Sequence, residues 1–428
     1  MQTPSPDSRL PTLPLMLNLE LLLGQITRSA LLPWKQPSPP SASAWGNWSS
    51  SWPTYADAMN PLSMMRNLLP KPAAVPPHLL PQLAQEVENL LQKRLSSLNH
   101  GIQRYQASDA PKHRSLLTTR QVIWQVGNTQ LRFLPPTNSA VRKPPVFLVP
   151  SLINRATILD LLPGFSLAEA LSQHGHAVYV LDWNTPGAME LRYDAAAYVA
   201  QALLPAMHAA CLHAQAPMQL LGYCMGGILA IAAAQLAPSM VARMALLATP
   251  WDFCAPPLAT QQLLPHQLAA LEQWLSTQQH ISPQTLEHWF YLQSPWSVHA
   301  KFRQLAELKQ DTTAEAFLAA ENWLHDGVPL TAPTARDGWV NWGHHNTLLH
   351  GRWRVLGQSI RLAQIPHPTL IISPREDAIV PPASSKPLVK QLPQRMLHEP
   401  ATGHIGALVG QQRHSHLVEP LLNHFSSM

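Results

Sequence analysis

Charge is scarce in this chain. Asp, Glu, Lys and Arg make up 12% of 428 residues, about half the usual share of ~25%. The net charge is only +5, and no Lys/Arg stripe with interleaved aromatics is present. These absences argue against a nucleic-acid binder. Cysteine is scarcer still. The three residues, Cys211, Cys224 and Cys254, form no CxxC pair, which excludes a disulfide scaffold and suits a reducing compartment. The 21 histidines are scattered. His344-His345 and His414/His416 lack the acidic or thiol companions of a metal site, so no metal and no cofactor is expected. No run of 18 uninterrupted apolar residues occurs, which predicts no transmembrane helix. The apolar segment from Leu13 to Ile26 is broken by Asn18, Glu20 and Gln25 and has no basic leader, which argues against a secretory signal. A cytoplasmic location follows as an expectation.

Proline, by contrast, is abundant, at 43 residues. Pro37–Ser43 and Pro72–Pro77 read as linkers, with Trp34, Trp45, Trp48 and Trp52 between them. Residues 1–110 are expected to form an accessory arm that ends in a helix over Pro81–Tyr105, where apolar residues recur at helical spacing. Gln121–Val126 and Thr129–Leu134 predict a hairpin about Gly127-Asn128. Strands then alternate with helices: Val146–Val149, Ala177–Leu181, Met218–Leu221, Met244–Ala248, Thr369–Ile372 and Arg395–Glu399. Ser166 with Glu169 three residues on predicts a capping box, and a further helix spans roughly Tyr198–His213. The pattern is α/β, a mostly parallel sheet with helices on both faces. Between residues 251 and 357 the alternation gives way to an aromatic-rich helical stretch containing Trp274, Trp289, Trp323, Trp339 and Trp342. It is expected to be a helical cap inserted into a core of residues 111–250 and 358–428.

The most informative segment is Gly222-Tyr223-Cys224-Met225-Gly226-Gly227. An apolar run precedes it and an Ala-rich helical pattern follows. Strand, Gly-flanked turn and helix are the context of a nucleophile elbow, with Cys in place of Ser. The bland reading is a small buried thiol. The functional reading requires an acid and then a His downstream, and both occur. Asp377 lies in Ser373–Pro381, past the strand Thr369–Ile372, with Glu376 as competitor. His404 lies in Gly403-His404-Ile405-Gly406, past the last strand. His404 would take the thiol proton and Asp377 would hold the imidazole. The resulting thiolate suits thioester exchange. The N–H of Met225, at the helix start, would face a developing oxyanion.

With these residues the chain resembles the polyhydroxyalkanoate synthases and their α/β-hydrolase relatives. Val149-Pro150-Ser151-Leu152-Ile153-Asn154-Arg155, Pro163–Leu167, Leu181-Asp182-Trp183-Asn184-Thr185-Pro186-Gly187, Arg375–Pro381 and Gly403–Gly406 carry the likeness in family order. The resemblance implies an α/β-hydrolase fold and an acyltransferase. A Cys224-His404-Asp377 triad would pass 3-hydroxyacyl groups from CoA thioesters to a growing polyester. It also implies a polymer granule surface as partner and leaves room for a homodimer. It points to the loop Ser151–Asn154 for the second oxyanion donor, with Ile153 at that position; Ile153 as plain core is the equal alternative. Departures are plain. Ala378 and Pro382 stand where the synthases usually have His and Trp, and Ala407 follows Gly406 where the family reads Ala-Gly. Leu324–Pro329 stands nearest to an Asn-Ser-Asp segment of the cap. A hydrolase using the same triad on water (thioesterase, esterase or depolymerase) is therefore the alternative, and a granule-bound protein that has only kept the fold is a third reading.

Overall fold

A computed structural model describes residue 78 and residues 80–108, 115–137, 143–256, 263–293, 295–309 and 312–426. The expected arm up to residue 77 lies outside the described residues. The helix α1, Leu80–Gln106, stands where apolar spacing placed it. Among the described residues, 80–102 and 103–426 fall in separate units.

The second unit is built on an eight-stranded sheet. Its strands are β1 Gln121–Val126, β2 Thr129–Leu134, β3 Lys143–Val149, β4 His176–Asp182, β5 Met218–Tyr223, β6 Val241–Leu247, β7 Thr369–Ile372 and β8 Arg395–His398. The spatial order is β1-β2-β4-β3-β5-β6-β7-β8. β1 and β2 form the antiparallel hairpin about Gly127, which takes φ +52°. β2 pairs antiparallel with β4, and every pairing from β4 through to β8 is parallel. β3, β4, β5 and β6 run two or three residues longer than the apolar runs that announce them, because paired backbone extends the ladder beyond the buried side chains; β1, β2 and β7 match theirs and β8 ends one residue earlier, at His398.

Alternation divides the sheet between two cores. Phe147, Val149, Tyr179, Leu220, Met244, Leu246 and Ile371 enter one. Val146, Leu148, Val178, Leu221, Ala245, Leu247 and Ile372 enter the other. Strands buried on both faces explain why these segments read as continuous apolar runs. The first core takes the helices α3, Ala195–Ala214, and α4, Met225–Leu236. The second takes α2, Leu167–Gln173, and the C-terminal helix Glu419–Ser426. Among the described residues α3 alone is long and apolar enough to cross a membrane by composition. Its Val199, Ala202, Leu203, Ala206 and Met207 are fully buried in the first core. The pattern read from sequence covered Tyr198–His213; the structure adds a turn and inserts a π segment at Val199–Leu203.

The expected capping box is half formed. Ser166 Oγ accepts the Glu169 N–H at 2.8 Å. The Glu169 carboxylate instead meets Arg120 Nη2 at 3.1 Å. Arg120 also binds Asp160, to whose Oδ1 Ser166 Oγ donates.

Between β6 and β7 lie the helices α5 Pro265–Thr277, α6 Pro283–Gln293, α7 Pro295–Glu307 and α8 Thr312–His325. A short helix, Ala332–Arg336, runs into a π segment at Asp337–His344. Two small ladders not foreseen from sequence, His280–Ile281 with Leu330–Thr331 and Arg354–Val355 with Gln358–Ser359, pin this region.

Candidate active site

The three parallel strands β5, β6 and β7 end at the same level, and the backbone continues their pairing past those ends. Cys224 N–H donates to Leu247 O at 2.9 Å and Ala248 N–H to Ile372 O at 2.9 Å. Beyond β7 and β8 the ladder runs on through Ser373 N–H to His398 O, Arg375 N–H to Pro400 O and Glu376 N–H to Thr402 O. These bonds hold the acid loop against the histidine loop and bring residues 27 positions apart in sequence into contact.

Cys224 is the N-cap of α4 and takes φ +54°, ψ −126°. The strained residue of the turn is thus the thiol-bearing one itself. The flanking glycines have a different reason: none of Gly222, Gly226 and Gly227 has a positive φ. They are glycine because neighbours crowd them, backbone at Gly222 and Gly226 and the Thr249 side chain at Gly227. A Cβ on Gly226 would lie 2.3 Å from Pro150 O, and one on Gly227 would lie 1.9 Å from Thr249 Oγ1. A Cβ on Gly222 would lie 2.4 Å from the Gly227 Cα. The glycines let α4 start tight against β3 and β6, and that fixes where Cys224 and the Met225 N–H project. Met225 begins the helix, so its N–H is among the four that no helical carbonyl takes.

Asp377 is wholly buried at its side chain. Its Oδ1 accepts the N–H groups of Ile379 at 2.9 Å and Val380 at 2.7 Å. Its Oδ2 lies 2.7 Å from His404 Nδ1. Glu376, the sequence competitor, is exposed. His404 is 8% exposed; besides the Asp377 contact, Cys224 lies near enough to act on its ionisation. With Nδ1 engaged, Nε2 is the nitrogen left for sulfur. Burial of the ring pulls its pKa down. The negative charge and hydrogen bond of Asp377, together with the influence of nearby Cys224, outweigh this and push it up to about 10. Tyr223 packs its ring on His404 at 5.1 Å between centroids. Its hydroxyl is buried without a partner; burial first, then the nearby Cys224 and Asp377 charges, raise its pKa well above 10.

Ile153 is placed less favourably. Its N–H donates to Ser151 Oγ at 3.1 Å, and its side chain packs on the first core. A role as oxyanion donor requires that bond to open. Ala378 is exposed, and Pro382 opens the helix Pro382–Gln391 at a position where its missing N–H costs nothing.

Several neighbours carry no local signal in the sequence. Arg155, just past the Ser151–Asn154 loop, donates to Asp326 Oδ2 at 2.7 Å, and Trp323 Nε1 donates to Arg155 O at 2.7 Å. Gly338, in the π segment, faces the Met225 side chain at 3.9 Å from its ideal Cβ position. Each contact spans more than 100 residues of chain. Among the described residues no group of three His, Cys, Asp or Glu side chains could hold a metal ion.

The chain is similar to known proteins in sequence and in fold. A family model described as alpha/beta hydrolase fold matches residues 144–411, more than half of the chain. In sequence the chain is 26% identical over 317 residues to the poly(3-hydroxyalkanoate) polymerase subunit PhaC of Haloferax mediterranei, covering 70% of this chain and 62% of that one. It is 25% identical over 333 residues to the subunit of the same name from Thiocystis violacea, covering 77% of this chain and 89% of that one. The chain thus spans less than two thirds of the haloarchaeal relatives it matches. Among solved structures, a thioesterase domain from the curacin biosynthetic pathway superposes with a TM-score of 0.45 at 17% identity, over 71% of this chain and 98% of that one. The chain belongs to the α/β-hydrolase fold family, and the curated proteins it is similar to are polyhydroxyalkanoate polymerase subunits.

Proposed function

We propose that this α/β-hydrolase-fold chain is a polyester synthase that builds its product on Cys224. The observation that carries the reading is the buried Asp377–His404 pair, 2.7 Å apart, with Cys224 of the elbow acting on the ionisation of the same imidazole, at the carboxyl ends of the central strands. Crevices there are where open α/β sheets do chemistry.

In the proposed cycle, the Cys224 sulfur attacks the carbonyl carbon of a 3-hydroxyacyl-CoA as its thiolate, with the proton held on His404. The tetrahedral oxyanion is met by the Met225 N–H and the positive end of α4. The bond from carbonyl carbon to the CoA sulfur breaks, and the departing thiolate takes the proton from His404. The acyl group remains on Cys224. The hydroxyl of a 3-hydroxyacyl chain end then gives its proton to His404 and attacks the acyl carbon. A new ester forms as the carbon–Sγ bond breaks. Asp377 holds the Nδ1–H tautomer and balances the imidazolium. In this reading the helices between β6 and β7 act as the cap, excluding water that would otherwise hydrolyse the acyl-enzyme. A cytoplasmic location and a granule surface belong to the same proposal.

The test is to supply 3-hydroxybutyryl-CoA to the purified chain and follow free CoA and polymer together. CoA released with polymer is expected. CoA released with free hydroxy acid would replace the synthase reading by the hydrolase reading. No CoA from wild type would remove both.

A further inference from the structure

We infer that Tyr223, the residue before the nucleophile, is a positioning residue for His404, and that its aromatic ring, not its hydroxyl, does this by supporting the imidazole and favouring its protonated form; the role assumes the triad proposed above. The two rings lie 5.1 Å apart between centroids, with 36° between planes, inside the range of an aromatic pair. The backbone holds Tyr223 in that place. It is the last residue of β5 and pairs with Leu247 of β6. The next N–H, that of Cys224, donates to Leu247 O at 2.9 Å. Alternation along β5 sends Leu221 and Tyr223 into the second core, where Tyr223 is 2% exposed.

Two observations select the ring over the hydroxyl. First, the hydroxyl has no hydrogen-bond partner among the described residues, so it tethers nothing, and a buried donor left unpaired destabilises the fold. Second, Asp377 meets His404 at the edge of the imidazole, 2.7 Å from Nδ1, and Nε2 is the edge left for sulfur. Edge contacts leave the faces of the ring to packing. Once Cys224 carries an acyl group it has no proton to share with Nε2, and Asp377 and Tyr223 are left to keep the imidazole aimed.

The charges around this pair are few. Asp377 and Cys224 act on His404, and the same two act on Tyr223. Glu376 is exposed. The helix Gly406–Val409 carries no titratable side chain. Beyond it Arg413 lies over Phe165 at 4.5 Å, and His414 is exposed. The cap helix α8 turns Ala319, Ala320 and Trp323 into this core, while its Glu321 meets Lys301 at 2.6 Å. Burial first, then the Cys224 and Asp377 charges, keep the Tyr223 proton in place well above the ordinary 10. The ring beside His404 is therefore neutral, and a neutral aromatic face favours imidazolium over imidazole.

The test reads His404 in the resting full chain, by NMR of histidine-labelled protein, with its resonance identified by its absence from His404→Gln. Tyr223→Leu removes the ring and keeps the core apolar. It should lower the pH at which His404 loses its proton by about one unit and slow CoA release about tenfold. Tyr223→Phe restores the ring and should recover both; with the unpaired hydroxyl gone, its urea midpoint should exceed that of wild type. Tyr223→Met, which refills the gap with a flexible chain, replaces Tyr223→Leu if circular dichroism shows the leucine variant unfolded, with the same shift expected. Wild-type titration of His404 in either folded variant would overturn the assignment. So would a Tyr223→Phe chain whose His404 titrates a unit low, because the hydroxyl would then be the acting group. Failure of the synthase reading is seen separately, as wild type that releases no CoA; the titration uses no substrate and still decides the role of Tyr223.

Discussion

Asp377→Asn is the substitution whose outcome follows most closely from geometry. The two backbone N–H groups of Ile379 and Val380 both point at Oδ1. An asparagine must put its carbonyl oxygen there, because an amide NH2 would face two donors. Its nitrogen then falls at the Oδ2 position, 2.7 Å from His404 Nδ1, and donates to it. The ring is forced into the tautomer with its proton on Nε2, facing Cys224, and so cannot accept the thiol proton. The carboxylate charge that raises His404 to about 10 is also gone. A return toward the ordinary 6.5 would cost the imidazolium at most about 5 kcal/mol, at ~1.4 kcal/mol for each pH unit. A loss of roughly 10³–10⁴-fold in the rate of acyl-enzyme formation is expected. Stopped-flow release of CoA from 3-hydroxybutyryl-CoA measures it, with circular dichroism confirming that the variant folds. Retention of a tenth of the wild-type rate by a folded Asp377→Asn protein would refute the claim that Asp377 acts through His404.

Other outcomes follow from the same contacts. The raised His404 pKa means the ring keeps its proton below about 10 and loses it above; CoA release should therefore fall as pH rises through that value, and a profile still climbing there would contradict the imidazolium. Gly227→Ala drives a methyl into Thr249 and should destabilise by at least ~1–3 kcal/mol, seen as a lower midpoint in urea; Thr249→Ala should recover part of the loss. Arg155→Ala breaks a half-exposed ion pair worth at most about 1 kcal/mol in stability, yet it frees the Ser151–Asn154 loop from Asp326, so turnover should drop more than the melting temperature; equal effects would make Arg155 merely structural. Burial lowers the pKa of His176, His367 and His424 below 6.5. The unfolded chain then binds protons that the folded one refuses. The contribution of these three should be full above pH 6.5 and decline below it, whereas the raised His404 costs stability as pH climbs from 6.5 toward 10; a flat urea midpoint from pH 7 to 5 would count against the three.

The sheet was legible because its strands are buried on both faces. Thr369–Ile372 reads as a strand from four apolar or β-branched residues and is one, and the turn Gly127-Asn128 announces the hairpin, whose pairing runs from Val126 with Thr129 to Trp124 with Leu131 before a register shift toward Val122. The elbow was legible because glycine spacing reports backbone crowding that is local in sequence. The reason for those glycines was not: their close contacts are with Pro150 and Thr249, which sequence spacing does not bring near. The choice between Glu376 and Asp377 also lay beyond the sequence, since adjacent carboxylates differ only in which one the loop turns inward. The π segments at Val199–Leu203 and Asp337–His344 are likewise invisible to a period of 3.6, because one extra residue in a turn is set by packing against neighbouring elements. Ile153 shows the opposite limit. Position suggested a donor, and its N–H turns out to be taken by a serine two residues back.

The account stands on a sulfur that attacks and carries the acyl group. The direct measurement is mass spectrometry of the intact chain, acid-quenched within the first turnover of 3-hydroxybutyryl-CoA and then digested. The account predicts one hydroxybutyryl group on the peptide bearing Cys224, one equivalent of CoA released, and no adduct in Cys224→Ala. An acyl group on Cys211 or Cys254, or CoA release by Cys224→Ala at the wild-type rate, would contradict it.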